Sequence, residues 1–484
     1  MRATLSPAVL RFGTDGWRGV IADTFTFANV ERVAQAAADQ WNLAPPPGPA
    51  CKSIVVGYDR RFLSDQFALR TAEVLAGNGF DVILTPVPTP TPAVCWAVRA
   101  RKATGGVLIT ASHNPAVFNG FKLKAWHGGA ADPALCAAVE SRLDRGPVRR
   151  CPAAEGVGSG RIRIVDVRPG HYRAVRGLVD FRRVARMPLR LAHDALFGVG
   201  AGCFEVLLAG TRCRVTTLNG RHDALFGGIH PEPIAANYGP TQAWLRRHPQ
   251  DVCLVTDGDA DRIGGMDGRG RPLTTHQILS LLLEHRLVRR GGRGRVVKAL
   301  TTTSMVDRIC AEHNLPLTVT GVGFKHLCAE MVKGDVLLGV EESGGVGFPE
   351  HLPDRDGIAA GLVFLEMLAI EGLSVGRLLR RLERRYGPHH YGRRDLAFPR
   401  ERLEDLMALC RAHPPDRLLR SPVARVDTFD GVKYTADDGT WLMLRGSGTE
   451  PVVRVYAEAR SVGNADRLLD CGERMMKRVL TSGR

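Results

Sequence analysis

The sequence predicts an α/β protein of three similar mixed-sheet blocks, followed by a smaller C-terminal α+β domain. Three observations carry this. Short apolar β-type runs alternate with segments of helical apolar spacing over most of the chain. Three of those runs open directly into polar loops rich in chemically able side chains. Beyond about residue 388 the alternation gives way to strands separated by turns.

In the first block, residues 27–41 carry helix-like spacing (Val30, Val33, Ala34, Ala37, Trp41), and the proline-rich stretch 44–50 is a loop. Strand 53–58, helix 64–77 with Gly79 just beyond it, strand 81–85, a helix near 93–101 and strand 105–110 follow. Such an alternation implies a largely parallel sheet flanked by helices. Residues 117–122 read as turn-rich, and 146–160, rich in Gly, Pro, Ala and Arg without periodicity, as a linker. The second block has strands near 189–195, 213–218 and 252–256. The third runs from Leu273 through helix 277–287, strand 295–300, a helix near 304–312 and strands 317–320 and 336–340, closed by the apolar helix 359–370. The tail has strands 388–398, 423–434, 440–445 and 452–458, turns such as Asp437-Asp438-Gly439, and a terminal helix 464–480. Domains are expected at 1–155, 156–268, 269–375 and 376–484.

With 484 residues the chain exceeds one hydrophobic core. Apolar residues at 44% and charged residues at 24% are those of an ordinary globular protein. No apolar run is long enough to span a bilayer and residues 1–10 lack a signal pattern, so a cytoplasmic location without membrane partners is the default expectation. The eleven cysteines are scattered and without CxxC spacing, which reads as reduced thiols. The net charge of +16 is the unusual bulk number. Its arginine pairs (Arg60-Arg61, Arg182-Arg183, Arg289-Arg290) are not interleaved with aromatics, so a solvated basic surface is favoured over nucleic-acid binding, with steering of anionic substrates as a secondary benefit.

The first polar loop is Thr110-Ala111-Ser112-His113-Asn114-Pro115, after the apolar run 105–109. A serine held at a sheet edge, with His113 and Lys122 as cationic or proton-carrying neighbours, suits an acceptor of phosphate. In Asp257-Gly258-Asp259-Ala260-Asp261-Arg262 the carboxylates alternate, so at an extended strand end all three project to one side. Carboxylates so close repel unless a cation sits among them, and an all-oxygen set favours Mg²⁺. An EF-hand fails at its sixth position, Arg262, and its twelfth, Gly268. Glu341 and Ser343, two apart, can point together at sugar hydroxyls, and Arg445-Gly446-Ser447-Gly448-Thr449 offers a guanidinium, hydroxyls and free N–H groups for a phosphate, with Arg454 as a second charge.

These loops, in this order, together with Arg11-Phe12-Gly13-Thr14-Asp15-Gly16-Trp17-Arg18-Gly19, resemble those of the α-D-phosphohexomutases, the phosphoglucomutase/phosphomannomutase superfamily. The resemblance spans almost the whole chain. It implies three similar α/β domains and a distinct fourth around a central cleft. It also implies a phosphoserine at Ser112, Mg²⁺ held by Ser112, Asp257, Asp259 and Asp261, and a glucose 1,6-bisphosphate intermediate that also serves as activator. Candidate acid/base and phosphate-contacting roles fall on Arg18, Lys122, Arg262 and Lys325. Sugar contacts fall on Glu341 and Ser343, and phosphate contacts on Arg445, Ser447, Gly448, Thr449 and Arg454. Glu342 resembles the glucose-preferring members, whereas Val340 departs from the glycine usual before this loop. The expected activity is phosphoglucomutase on small sugar phosphates, by a monomer or homodimer. Phosphomannomutase, a bifunctional enzyme and a sugar-phosphate phosphatase are the alternatives.

Overall fold

A computed structural model describes residues 10–13, 15–48, 51–447 and 451–481. The chain forms two compact units: residues 1–278 with 323–375, and residues 279–322 with 376–484. The third expected block is therefore shared between them.

The first unit holds two sheets. One contains β1 (Trp17–Val20), β2 (Ser53–Tyr58), β3 (Asp81–Leu84), β4 (Gly105–Ile109), β5 (Phe118–Ala125) and β6 (Ile162–Ile164), in the order β1-β5-β4-β2-β3-β6. The four strands β4, β2, β3 and β6 are parallel, and β5 and β1 run antiparallel to their neighbours. The sheet is thus mixed, with parallel strands in the majority. Most of the residues expected to be turn-rich are the start of β5, where every residue from Asn119 to Lys124 is buried in a strand that pairs on both sides. Helices Phe27–Leu43 and Ser64–Gly77 press Val33, Ala34, Trp41, Phe67 and Leu75 onto this sheet. Thr26 caps the first of them, its side chain accepting from Asn29 N. Within the expected linker lies the short helix Ala153–Gly158, and β6 carries the first sheet past residue 155.

The other sheet has β7 (Arg190–Asp194), β8 (Arg214–Leu218), β9 (Val252–Thr256), β10 (Ile263–Asp267) and β11 (Pro272–Leu273), in the order β11-β10-β9-β7-β8. A hairpin of Val336–Val340 with Val346–Gly347 and the buried helix Gly357–Glu371 also belong to this unit. That helix is apolar on every side because it is covered on every side.

The second unit pairs Arg295–Ala299 with Leu317–Thr320 in parallel. It also holds an antiparallel sheet ordered His390–Ala397, Val452–Ala459, Trp441–Gly446, Val432–Ala436, Ser421–Asp427 and Arg417–Leu418, covered by helices Leu403–Ala412 and Val462–Thr481. The expected strand 423–434 is two strands, broken by a turn at Gly431, whose φ of +90° suits glycine. All eleven cysteines are unpaired, and Cys51 is the exposed one. Among the described residues no single helix is long and apolar enough to cross a membrane.

Candidate active site

Ser112 sits in the connection between the antiparallel strands β4 and β5. Its φ of +52° places it in the left-handed region, and it is fully buried. A conformation unfavourable for a non-glycine residue persists only when its surroundings over-determine it, and here they do. Ser112 N donates to Thr110 Oγ1 at 2.9 Å, and Thr110 Oγ1 donates to Asp59 Oδ2 at 2.6 Å. Arg61 then gathers the loop: Nη2 donates to the carbonyls of Ser112 (2.6 Å) and Asn114 (2.7 Å), and Nη1 to those of Pro115 (2.8 Å) and Phe118 (2.9 Å). Arg61 is itself fixed by Asp59 at 3.1 Å and by the Phe226 ring, 4.9 Å away. One member of a pair taken for solvated surface is therefore wholly internal, because only a buried guanidinium can satisfy so many carbonyls at once.

The Ser112 hydroxyl donates to Asp257 Oδ2 at 2.9 Å, and His113 Nδ1 stands 3.5 Å from the same hydroxyl oxygen. Burial, with Arg262, Arg18 and Lys122 nearby, lowers the imidazole of His113 well below its usual range. That favours the neutral ring, so of the two expected characters, cationic or proton-carrying, His113 takes the second. Arg18 donates to Asn114 Oδ1 and lies 3.8 Å from Asp15.

The aspartate loop is a turn between the antiparallel strands β9 and β10, with Ala260 at a φ of +59°, rather than an extended strand end. The turn, not the strand period, brings one oxygen from each of Asp257, Asp259 and Asp261 within 4.8 Å of the others. Gly258 lets this loop meet the serine loop, since a Cβ there would stand 2.5 Å from Ser112 O. Asp259 Oδ2 accepts from Lys122 Nζ and Thr91 Oγ1, both at 2.8 Å, and Asp261 Oδ2 from Arg355 Nη2 at 2.8 Å. Asp257 Oδ1 accepts from Arg262 N at 3.1 Å.

Two buried oxygens, Asp259 Oδ1 and Asp261 Oδ1, accept no hydrogen bond among the described residues. Burial and then repulsion from Asp259 and Asp261 raise Asp257 well above the usual carboxylate range. Orphaned oxygens and a carboxylate that burial and its neighbours drive to keep its proton are what a divalent cation relieves, and the all-oxygen donor set fits Mg²⁺.

Lys122 lies on β5 with its ammonium 2.7 Å from Asp15 and 3.5 Å from Asp261 as well as on Asp259. Against the opposing effect of burial, Asp15 and Asp259 raise it, so it is a fixed cation. Arg262 is nearly buried, 3.8 Å from both Glu232 and Asp261. Glu341 and Ser343 lie in the Val336–Val340 hairpin connection, Ser343 Oγ donating to Glu341 Oε1 at 2.6 Å. This loop is tied to the aspartate loop through Ile263 N to Gly344 O (3.0 Å) and a bridge between Arg262 and Gly345. Glu342 is half-exposed, its carbonyl accepting from Thr275 Oγ1 at 2.5 Å. Lys325 is half-buried in the first turn of helix Phe324–Val332, with Cys136 among its electrostatic neighbours.

In the second unit Arg445 and Arg454 face each other across neighbouring strands. Arg445 Nε donates to Asp430 Oδ1 at 2.7 Å, and Arg454 Nε lies 3.4 Å from Asp395. Ser447 is buried and its N–H donates to Val452 O at 2.9 Å. Gly448 and Thr449 lie outside the described residues.

Comparison with known families matches the chain domain by domain. Models for phosphoglucomutase/phosphomannomutase match in series: alpha/beta/alpha domain I at residues 9–149, domain II at 169–270, domain III at 274–386 and the C-terminal domain at 402–470. The chain belongs to the phosphoglucomutase/phosphomannomutase family. A phosphoglucomutase/phosphomannomutase of Thermococcus kodakarensis is 28% identical over 469 residues, covering 97% of this chain and 99% of the relative. A candidate phosphoglucosamine mutase of Methanothermobacter thermautotrophicus is 30% identical over 451 residues, covering 93% and 94%. The crystal structure of a candidate phosphomannomutase from Thermus thermophilus is 36% identical, covers 99% of this chain and 100% of its own, and superposes with a TM-score of 0.84. The chain is thus a phosphohexomutase-family protein with the family's three α/β/α domains and C-terminal domain.

Four side chains of the first unit's site escaped the sequence reading: Asp15, Asp59, Arg61 and Arg355. Asp15 stands inside the quoted N-terminal motif, and Arg355 inside the run Asp354-Arg355-Asp356. An arginine between two aspartates at the mouth of an apolar helix is the one local signal that could have marked it. Nothing local distinguishes Arg61 from Arg60.

Proposed function

We propose that this phosphohexomutase interconverts hexose 1-phosphates and hexose 6-phosphates, glucose phosphates preferred, by carrying a phosphoryl group on Ser112. One observation supports this above the rest: a buried serine hydroxyl bonded to one of three converging carboxylates, beside two arginines and a lysine. The phosphoryl group leaves Ser112 Oγ for the free hydroxyl of a hexose 1-phosphate, giving the 1,6-bisphosphate. The bisphosphate turns over, and its other phosphate returns to Ser112 Oγ.

Arg18 and Arg262 stabilise the equatorial oxygens of the moving group, and Lys122 holds Asp259 in place. Removal of the proton from the attacking hydroxyl falls to Lys325 or to the neutral His113. Glu341 and Ser343 bind sugar hydroxyls, and Arg445, Ser447, Gly448, Thr449 and Arg454 the phosphate that is not reacting. Mg²⁺ bound by Asp257, Asp259, Asp261 and the phosphoserine supplies charge neutralisation to the transfer. Glucose 1,6-bisphosphate primes Ser112.

The test is isomerisation of glucose, mannose and glucosamine 1-phosphates by the purified protein with a trace of the matching bisphosphate. With Glu342 in the sugar loop, kcat/KM for glucose 1-phosphate should exceed that for mannose 1-phosphate at least about tenfold. Equal values would make the enzyme bifunctional. Stoichiometric release of inorganic phosphate without isomer would replace a mutase by a phosphatase.

A further inference from the structure

The guanidinium of Arg355 bonds three carboxylates from three separate loops of the first unit. Nη2 donates to Asp15 Oδ2 and to Asp261 Oδ2, each at 2.8 Å, and Nη1 to Glu341 Oε1 at 2.9 Å. The side chain is almost fully buried and lies over the Phe324 ring, 5.5 Å from its centroid. Its stem fills the space beside Gly345, where a Cβ would stand 2.5 Å from Arg355 Cδ. Its own backbone is pinned, since Arg355 N donates to Asp354 Oδ1 at 2.8 Å and Asp356 caps the helix Gly357–Glu371. The arginine is therefore set rigidly before it reaches the three acids.

We infer that Arg355 is a positioning residue that presents Asp261 to the cation and Glu341 to the sugar with one side chain. On both acids it occupies a single oxygen. At Asp261 it takes Oδ2, and Oδ1 accepts no hydrogen bond among the described residues. At Glu341 it shares Oε1 with Ser343, so that Oε2 lies outside the network. A carboxylate fixed through one oxygen keeps its other in a single orientation, the way outer residues aim metal ligands. A lysine cannot replace this, because an ammonium is a point charge without two outward-directed Nη groups. The Glu341 half of the inference rests on the sugar-binding role proposed above; the Asp261 half does not.

The experiment compares Arg355→Lys and Arg355→Met with the wild type. Mg²⁺ binding to the metal-free full chain is measured by calorimetry, and KM and kcat with glucose 1-phosphate in saturating Mg²⁺. Both variants should bind Mg²⁺ about 10- to 100-fold more weakly. KM should rise at least about tenfold while kcat falls less, because Arg355 touches neither Ser112 nor its loop. Should the Met variant fail to fold, the Lys variant decides alone, since it keeps the charge and the stem. Wild-type Mg²⁺ affinity or wild-type KM in the folded variants overturns the inference. If the wild type isomerises no hexose phosphate, the proposed function falls while the Mg²⁺ titration still decides whether Arg355 aims Asp261.

Discussion

Ser112 has its hydroxyl on Asp257 and its backbone in a strained conformation held by Thr110 and Arg61. Ser112→Ala removes the hydroxyl oxygen proposed to carry the phosphoryl group. Turnover should fall below detection with the melting temperature nearly unchanged, and intact-mass analysis should show a phosphorylated species in the wild type that the variant lacks. Residual mutase activity in the alanine protein would end the mechanism. A second residue, Lys433, tests the electrostatics of the second unit's core. Its ammonium is buried in the second unit, donates to Leu300 O at 2.7 Å and stands 4.0 Å from the centre of the Trp441 ring. Burial and the neighbouring Lys298 push it down to about 7. The unfolded chain keeps that proton up to about 10.4. Between these values the unfolded state binds more protons, so stability rises with pH, and the penalty is complete below the folded value. Lys433→Met should therefore gain melting temperature over the wild type at about pH 6 and lose that advantage by about pH 10. A pH-independent difference would show that Lys433 is charged when folded.

The four chemical loops share one construction. Each connects two antiparallel, directly paired strands: β4 to β5, β9 to β10, Val336–Val340 to Val346–Gly347, and Trp441–Gly446 to Val452–Ala459. In the first three, whose residues are all described, ends hydrogen-bonded to each other leave the loop little freedom, which suits side chains that must hold a charge in place. From sequence each loop was legible as a strand end, because the apolar run before it is strong. Of the return strands only Val452–Ala459 was, expected at 452–458. β5 reads as turn because Asn119 and Gly120 interrupt its pattern, although both are buried in the sheet. β10 carries Gly264 and Gly265, which weaken any strand signal. Gly264 is needed because a Cβ there would collide with the Tyr238 hydroxyl. Close approach also governs Gly258, where alanine would force the aspartate and serine loops apart. Gly258→Ala should lower kcat by about a hundredfold, as a misplacement on the order of 1 Å does, with a smaller effect on KM. Unchanged kcat would mean that the two loops need not touch during transfer.

At the scale of the molecule the charge of +16 is an excess of cations over acids. Arg61, Arg262 and Arg355 are internal and paired with buried carboxylates, so they add little to it. The remainder faces water and should draw in anionic sugar phosphates. kcat/KM should therefore fall as ionic strength rises while kcat stays nearly constant, measured with a neutral salt at fixed Mg²⁺. Equal salt dependence of both would assign the effect to the bound state. Activity should also vanish with EDTA and return on adding Mg²⁺; turnover in metal-free buffer would remove the aspartate loop from catalysis.

What the sequence by itself determined is the set of chemical loops and the order of α/β blocks and tail. Local patterns suffice there: an apolar strand followed by Ser-His, three alternating aspartates, or Glu-x-Ser announces itself within a few residues. Tertiary structure alone decided which charges are used. Lys122 reaches Asp15 and Asp259, Arg61 reaches the serine loop, and Arg355 reaches three acids from 14 to 340 residues away along the chain. Such partners are chosen by burial: a charged group removed from water must find its counter-charge wherever the fold puts one, and no spacing in the sequence records that distance.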